Sequence, residues 1–261
     1  MNMRRVGLIF TRELKAYFNS YIAYVVITMF LIITGYFFYN LLATFSVISF
    51  QAQANPMMAK QYNLLNINET VVRPLFGNMS IIMVLMTPLL TMRLLAEEKK
   101  TGTMELLLTY PVRDAGVVVG KFLACFTVFL AMILSTVTYP ILLVVLGDPE
   151  VMPIVTGYVG LILLGAAFIS LGIFTSSLTE NQIIAASLAF GIVFVFWLMS
   201  YSVVFVSPGL GRIISYMAIT EHLESLAKGV VDTEDIVYYI MFIFLFLFLT
   251  LRSIESKRWR G

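Results

Sequence analysis

Side chains that catalyse must come in workable sets, and this sequence offers few. One histidine, His222, cannot build a His-based metal site, and one cysteine, Cys125, cannot form an intrachain disulfide. No His-Glu-x-x-His and no Gly-x-Ser-x-Gly occurs, so most metalloenzyme, redox and embedded-hydrolase readings fall. The nearest thing to a phosphate loop is Gly116-Val117-Val118-Val119-Gly120-Lys121-Phe122. It has three residues between its glycines where four are required, and Phe122 stands where a Ser or Thr would hold magnesium. Gly116, Gly120 and Ala124 read instead as a small-residue stripe suited to close helix contact.

The densest polar chemistry lies in two stretches. The first runs Glu97-Glu98-Lys99-Lys100-Thr101-Gly102-Thr103-Met104-Glu105 and continues through Leu107 and Leu108 to Pro111, Arg113 and Asp114. Gly102 permits a sharp change of direction, Thr103 can cap a new helix, Glu105 suits its first turn, and Pro111 stops it. By spacing alone this is equally a short surface helix, apolar on Met104, Leu107 and Leu108, or a solvated loop. The second stretch runs from Ser207 to Asp235. Ile213, Ile214, Met217 and Ala218 suit a short helix dipping toward a membrane; Thr220 can cap another that ends at Lys228 and Gly229, and Asp232 with Asp235 can cap the apolar run that begins at Ile236. His222 reads as a surface polar residue, with pH sensing or ligand binding the lesser alternative.

The elements that carry these stretches are set by the solvent they need. Of 261 residues 60% are apolar and only 12% charged, too few charges to clothe a water-soluble domain. The net charge of +2 offers no argument for nucleic acid. A bilayer core of ~30 Å takes roughly 17 to 25 apolar residues per helix. Six such runs occur, near Tyr21–Phe45, Phe76–Leu95, Val117–Leu146, Pro153–Ser176, Ile183–Val206 and Ile236–Leu251, the last being the shortest. They predict an all-α protein of one membrane domain over residues 1–261, with no internal repeat.

Thirteen Lys and Arg fall at the termini and in the second connection, and four on the other side, which predicts cytoplasmic termini. The N-terminal run is too long for a cleaved signal. Before it, Met3, Val6, Phe10, Leu14, Tyr17 and Tyr21 share one face of a helical pattern, and Arg5, Arg12, Lys15 and Asn19 the other. This predicts an interfacial amphipathic helix, against the plainer alternative of a basic anchor. All fifteen Asp and Glu lie outside the six runs, which weighs against proton- or sodium-coupled transport. Glycine, alanine and serine crowd the fourth run, at Gly157, Gly160, Gly165 and Gly172, and the fifth, at Ala185, Ala189 and Gly191, so both are expected to face protein. Asn40, Asn78 and Ser80 are expected as ordinary interhelical hydrogen bonders, with a pathway lining the lesser alternative.

Glu97-Glu98 followed by Gly102-Thr103, Glu105-Leu106-Leu107-Leu108 and Pro111-Val112, with Gly120-Lys121 opening the third run, resembles the cytoplasmic loop of type-2 ABC transporter (ABC-2) permeases. Within that superfamily, His222-Leu223-Glu224, Lys228-Gly229-Val230-Val231-Asp232 and Asp235-Ile236-Val237-Tyr238-Tyr239 resemble the gliding-motility and nitrous-oxide-maturation type permeases. The resemblance spans nearly the whole chain. It implies a multi-pass permease of a bacterial or archaeal inner membrane that pairs with a second or homologous permease copy and with two cytoplasmic ATPase subunits.

It also implies roles. Glu97, Glu98, Lys99, Thr101, Gly102, Thr103, Glu105 and Leu108 would form the coupling helix; Arg5, Phe10, Arg12 and Leu14 the elbow helix; Ile213, Met217, His222 and Gly229 an outer gate. No cofactor is expected on this chain, since ATP and magnesium would sit in the ATPase. Membrane lipids, and an accessory extracytoplasmic protein, complete the expected partners, with no nucleic acid. The function so implied is ATP-driven export. The alternatives are a membrane scaffold through which the ATPase does mechanical work on another protein, and a free-standing facilitator.

Overall fold

The computed structural model describes residues 3–54, 66–103, 114–147, 149–202 and 207–258, and every element among them is helical. The order is α1 (Met3–Asn19), α2 (Tyr21–Ala54), a π turn (Asn68–Val72) leading into α3 (Arg73–Thr91), α4 (Arg93–Lys100), α5 (Asp114–Leu134), a 3-10 turn (Ser135–Val137), α6 (Thr138–Leu146), α7 (Val151–Leu178), α8 (Gln182–Ser202), α9 (Pro208–Met217), α10 (Glu221–Ala227) and α11 (Thr233–Arg258). Six stretches are long and apolar enough to cross a membrane: α2, the π turn with α3 and α4, α5 with α6, α7, α8, and α11. With six crossings both chain ends lie at one end of the bundle, the near end, and the opposite one is the far end.

The span map holds and its edges move. The last span is not the shortest: α11 covers 26 residues, because Glu234 and Asp235 suit its first turn and the polar tail from Arg252 to Arg258 stays helical past the apolar run. The third span is not one uniform helix. It tightens at Ser135–Val137, where Thr136 Oγ1 bonds the Ile133 carbonyl at 2.7 Å and Tyr158 Oη at 3.0 Å. The second span extends past its apolar run in both directions and is interrupted at Met92, whose N–H still bonds the Pro88 carbonyl at 2.9 Å.

α7 is the central post. It packs against α3, α5, α8, α10 and α11, and its small residues are the reason. A Cβ on Gly157 would stand 2.1 Å from Phe76 Cε2, one on Gly165 2.0 Å from Phe129 Cζ, and one on Gly172 2.1 Å from Thr91 Oγ1. Neighbouring helices thus insert side chains where α7 lacks one. α8 departs from expectation. Only Ala185, Ala189 and Val193 of it are buried, and Gly191 has nothing within 4 Å of a built Cβ, so small residues alone did not make this helix a buried one.

Candidate functional site

At the near end the chain builds a joint of four charges. α1 crosses α5 at Gly120, where a Cβ would lie 2.9 Å from Ile9 Cγ2, so the small-residue stripe serves packing as its spacing predicts. That crossing brings Glu13 to Lys121, Nζ to Oε1 at 3.0 Å, and α4 brings Glu98 to the same ammonium, also at 3.0 Å. Arg12 Nη2 closes the set on Glu13 Oε1 at 2.8 Å and on Glu98 Oε1 at 2.5 Å. Lys121 has a side-chain exposure of 1%, which such a strongly hydrated cation tolerates only with carboxylates on it. Burial penalises the Glu13 carboxylate, but Lys121 and Arg12 outweigh it and hold the carboxyl below its usual range. Glu98 Oε2 is buried without a hydrogen-bond partner among the described residues.

A second seam joins the feet of α4, α7 and α11. Ser176 Oγ accepts from the Leu95 and Ala96 N–H groups, each at 3.0 Å, and donates to the Met92 carbonyl at 2.9 Å. It thereby serves backbone groups freed at the Met92 interruption. Lys99 Nζ and Ser253 Oγ both donate to the Ser177 carbonyl, the latter at 3.2 Å. Tyr17 Oη donates to the Leu90 carbonyl at 2.6 Å while the Arg93 guanidinium lies 4.5 Å over its ring. α4 is therefore tied directly to α1, α5 and α7, and it meets α11 only through the Ser177 carbonyl that both address.

Among the residues expected to couple, Glu98 and Lys99 face inward into these seams, whereas Glu97, Thr101, Gly102 and Thr103 are exposed. Gly102 takes φ +71°, as a sharp turn there predicts, and Thr101 and Thr103 hydroxyls bond each other at 2.9 Å beside the Glu98 carbonyl. Glu105 and Leu108, and with them the expected surface helix, lie outside the described residues, as does the side chain of Arg5. Of the other elbow residues, Phe10 and Leu14 are half-buried and Arg12 is exposed apart from its bonds to the joint.

At the far end α9 and α10 form the expected pair of short helices. α10 closes as a Schellman turn: Gly229 at φ +88° donates to Leu226, and Val230 donates to Ser225 at 3.2 Å. The turn rests on α7, with a Gly229 Cβ position 3.2 Å from Pro153 Cγ and Thr156 Oγ1 donating to the Leu226 carbonyl at 2.6 Å. Ile213 and Met217 of α9 are exposed.

Three expectations fail in this segment. His222 is not a surface residue: it is 6% exposed, with Nδ1 2.6 Å from Asp235 Oδ1 and Nε2 3.1 Å from the Tyr216 carbonyl, under the Tyr238 ring stacked at 4.0 Å. Both ring nitrogens face oxygen atoms, which fixes the orientation of the ring. Asp235 does not cap α11, because its oxygens take His222 and the Ser225 hydroxyl. Thr220 stands at the N-cap of α10 but makes no side-chain cap; its hydroxyl bonds Ser200 Oγ at 2.7 Å.

Between α3, α8 and α10 the far end also holds a cavity of about 460 Å³, lined by Arg73, Asn78, Ser80, Trp197, Tyr201 and Glu221 among others. Of the three polar residues weighed for a pathway, Asn78 and Ser80 thus share one cavity wall. Asn40 does not; it is exposed and bonds the Tyr36 carbonyl of its own helix. Reading the sequence missed Glu13 and gave Lys121 and Asp235 other roles, one as the opening of the third run and the other as a cap. The available signals were a lysine inside an apolar run and a lone acid in a basic helix.

Six membrane-length helices, helix feet knitted by charges, and no group of three or more metal-ligating side chains among the described residues define a polytopic membrane protein whose built features are joints. Residues 9–252 match the model of the ABC-2 family transporter proteins, and the chain belongs to that family. It is an ABC transporter permease, a membrane-spanning transport subunit of a family whose members pair with ABC ATPase subunits. No individual curated protein matches the sequence.

Proposed function

We propose that the chain is the membrane subunit of an ATP-driven exporter, powered by two copies of a separate cytoplasmic ATPase and working with a second or homologous permease copy. The observation that carries this reading is the wiring of α4. A helix that prolongs a span beyond the Met92 interruption emerges at the basic end with its inward face bound to α1, α5 and α7, and Glu97, Gly102 and Thr103 turned outward. A push on that outward edge would reach α1, α5 and α7 directly, and α11 through the Ser177 carbonyl of α7. The basic residues at this end support placing it in the cytoplasm of a bacterial or archaeal inner membrane. ATP and magnesium would belong to the ATPase. At the other end α9 and α10, hinged at Gly229, would close the outer mouth.

The test is co-expression with a candidate ABC ATPase subunit, followed by reconstitution. Gly102→Val forces a β-branched residue into φ +71°, and Glu97→Arg reverses an exposed charge. Both variants should insert normally yet lose at least tenfold in permease-stimulated ATP hydrolysis and in ATP-dependent efflux. Stimulation and efflux surviving both substitutions would overturn the coupling role, and a permease that copurifies with no ATPase would overturn the exporter.

A further inference from the structure

The cavity between α3, α8 and α10 has the size of a small-molecule site, roughly 300–1,000 Å³ in general. Its charges do not balance. Arg73 Nη1 lies 2.5 Å from Glu69 and Nη2 3.7 Å from Glu224, and Glu224 also holds Lys228 at 2.8 Å. Those four cancel. His222, next in sequence to Glu221, is taken up by Asp235 and the Tyr216 carbonyl. Glu221 remains, a half-buried carboxylate on the cavity wall with no ion-pair partner among the described residues.

Facing α10 across the cavity, α8 presents Trp197 and Tyr201, their rings 5.0 Å apart, at the end of a run of stacked rings from Phe190 and Phe194. Aromatic faces carry negative charge and attract cations, tryptophan most strongly, by about 0.5–2 kcal/mol per contact. Ser80, Asn78 and Ser200 add neutral polar groups. Arg73 also lines the cavity, its Nε buried without a hydrogen-bond partner among the described residues, but its terminal nitrogens are engaged by Glu69 and Glu224. An anion entering here would therefore meet Glu221 unopposed, and a neutral ligand would bury that carboxylate uncompensated. A compact hydrated metal ion would need several oxygen ligands, and one carboxylate does not supply them. An ion whose charge is spread over carbon sheds water readily and suits one carboxylate and aromatic walls.

We propose that this cavity binds an organic cation of the quaternary ammonium or phosphonium type, with Glu221 as its counter-charge and Trp197 and Tyr201 as its aromatic wall. Naming that cation as cargo rests on the exporter reading; its binding does not.

The sequence has two tryptophans, so Trp259→Phe leaves Trp197 as sole reporter. The full-length chain in lipid nanodiscs is titrated with tetraphenylphosphonium and, in parallel, with tetraphenylborate, an anion of the same shape. The cation should quench Trp197 saturably and the anion should not. Glu221→Gln should weaken cation binding at least tenfold, Glu221→Asp should recover part of it, and Glu234→Gln, an exposed carboxylate off the cavity, should change nothing. Gly77→Leu should also weaken binding with Glu221 intact, since Gly77 lines the cavity and nothing lies within 4 Å of its built Cβ.

Equal quenching by both ions, no saturable quenching, or a Glu221→Gln variant that binds normally would overturn the site. Saturable binding without efflux would leave the site standing and overturn the cation as cargo. Efflux without binding would do the reverse.

Discussion

Lys121 shows how one residue can depend on the whole near end. Its ammonium is buried between Glu13 and Glu98, and each carboxylate comes from a different helix. Lys121→Met would strand both acids beside a single arginine. Breaking a buried pair from one side costs about 3–5 kcal/mol, so the variant should melt well below the parent in detergent while Lys121→Arg stays close to it. The same joint predicts a pH response. The folded carboxyl of Glu13 lies below its unfolded value, so its contribution is present above the unfolded pKa and is lost as pH falls through the folded one. Melting temperature should therefore drop on acidification through the carboxylate range, and Glu13→Gln should flatten that slope. Identical slopes in parent and variant would mean that Glu13 gains nothing from Lys121.

Among helices, the outcome turned on where a glycine meets a ring. Gly165 and Gly191 look alike in the sequence, each in an apolar run with small neighbours. Only Gly165 accepts Phe129, and Gly191 touches nothing. Gly165→Ala should cost about 1–3 kcal/mol by overpacking, measured as a lower melting temperature and poorer yield, whereas Gly191→Ala should be neutral or slightly stabilising through helix propensity. Equal effects would deny α7 its role as the central post. The exposure of α8 has a related origin: Ala185 and Ala189 lie on the narrow face that packs on the bundle, whereas Ala186, Ser187 and Gly191 lie off it.

For the molecule as a whole, an even number of crossings puts the α7–α8 connection and the start of α11 on opposite sides. With the buried Cys125 replaced by serine, single cysteines at Thr179 and Glu234 should react with a membrane-impermeant thiol reagent from opposite faces of intact cells and inverted vesicles. Labelling of both from one face would overturn the six-span topology. Labelling of Glu234 from outside would place both termini in the cytoplasm.

The number of spans, the all-helical class, the amphipathic N-terminal helix and the positive φ at Gly102 and Gly229 were legible from the sequence. Each has a local cause: run length against bilayer thickness, a helical period, or a glycine at a helix end. The joints were not legible. Glu13, Glu98 and Lys121 are far apart in the chain, and nothing in the spacing of any one announces the other two. His222 and Asp235, thirteen residues apart, read as a surface group and a cap until α10 folds back on α11. Charge patterns along a chain report which solvent each residue tolerates alone. Which buried charges meet is decided by helix crossings, set by contacts such as Gly120 against Ile9 and Gly172 against Thr91, and these exist only once the bundle has packed.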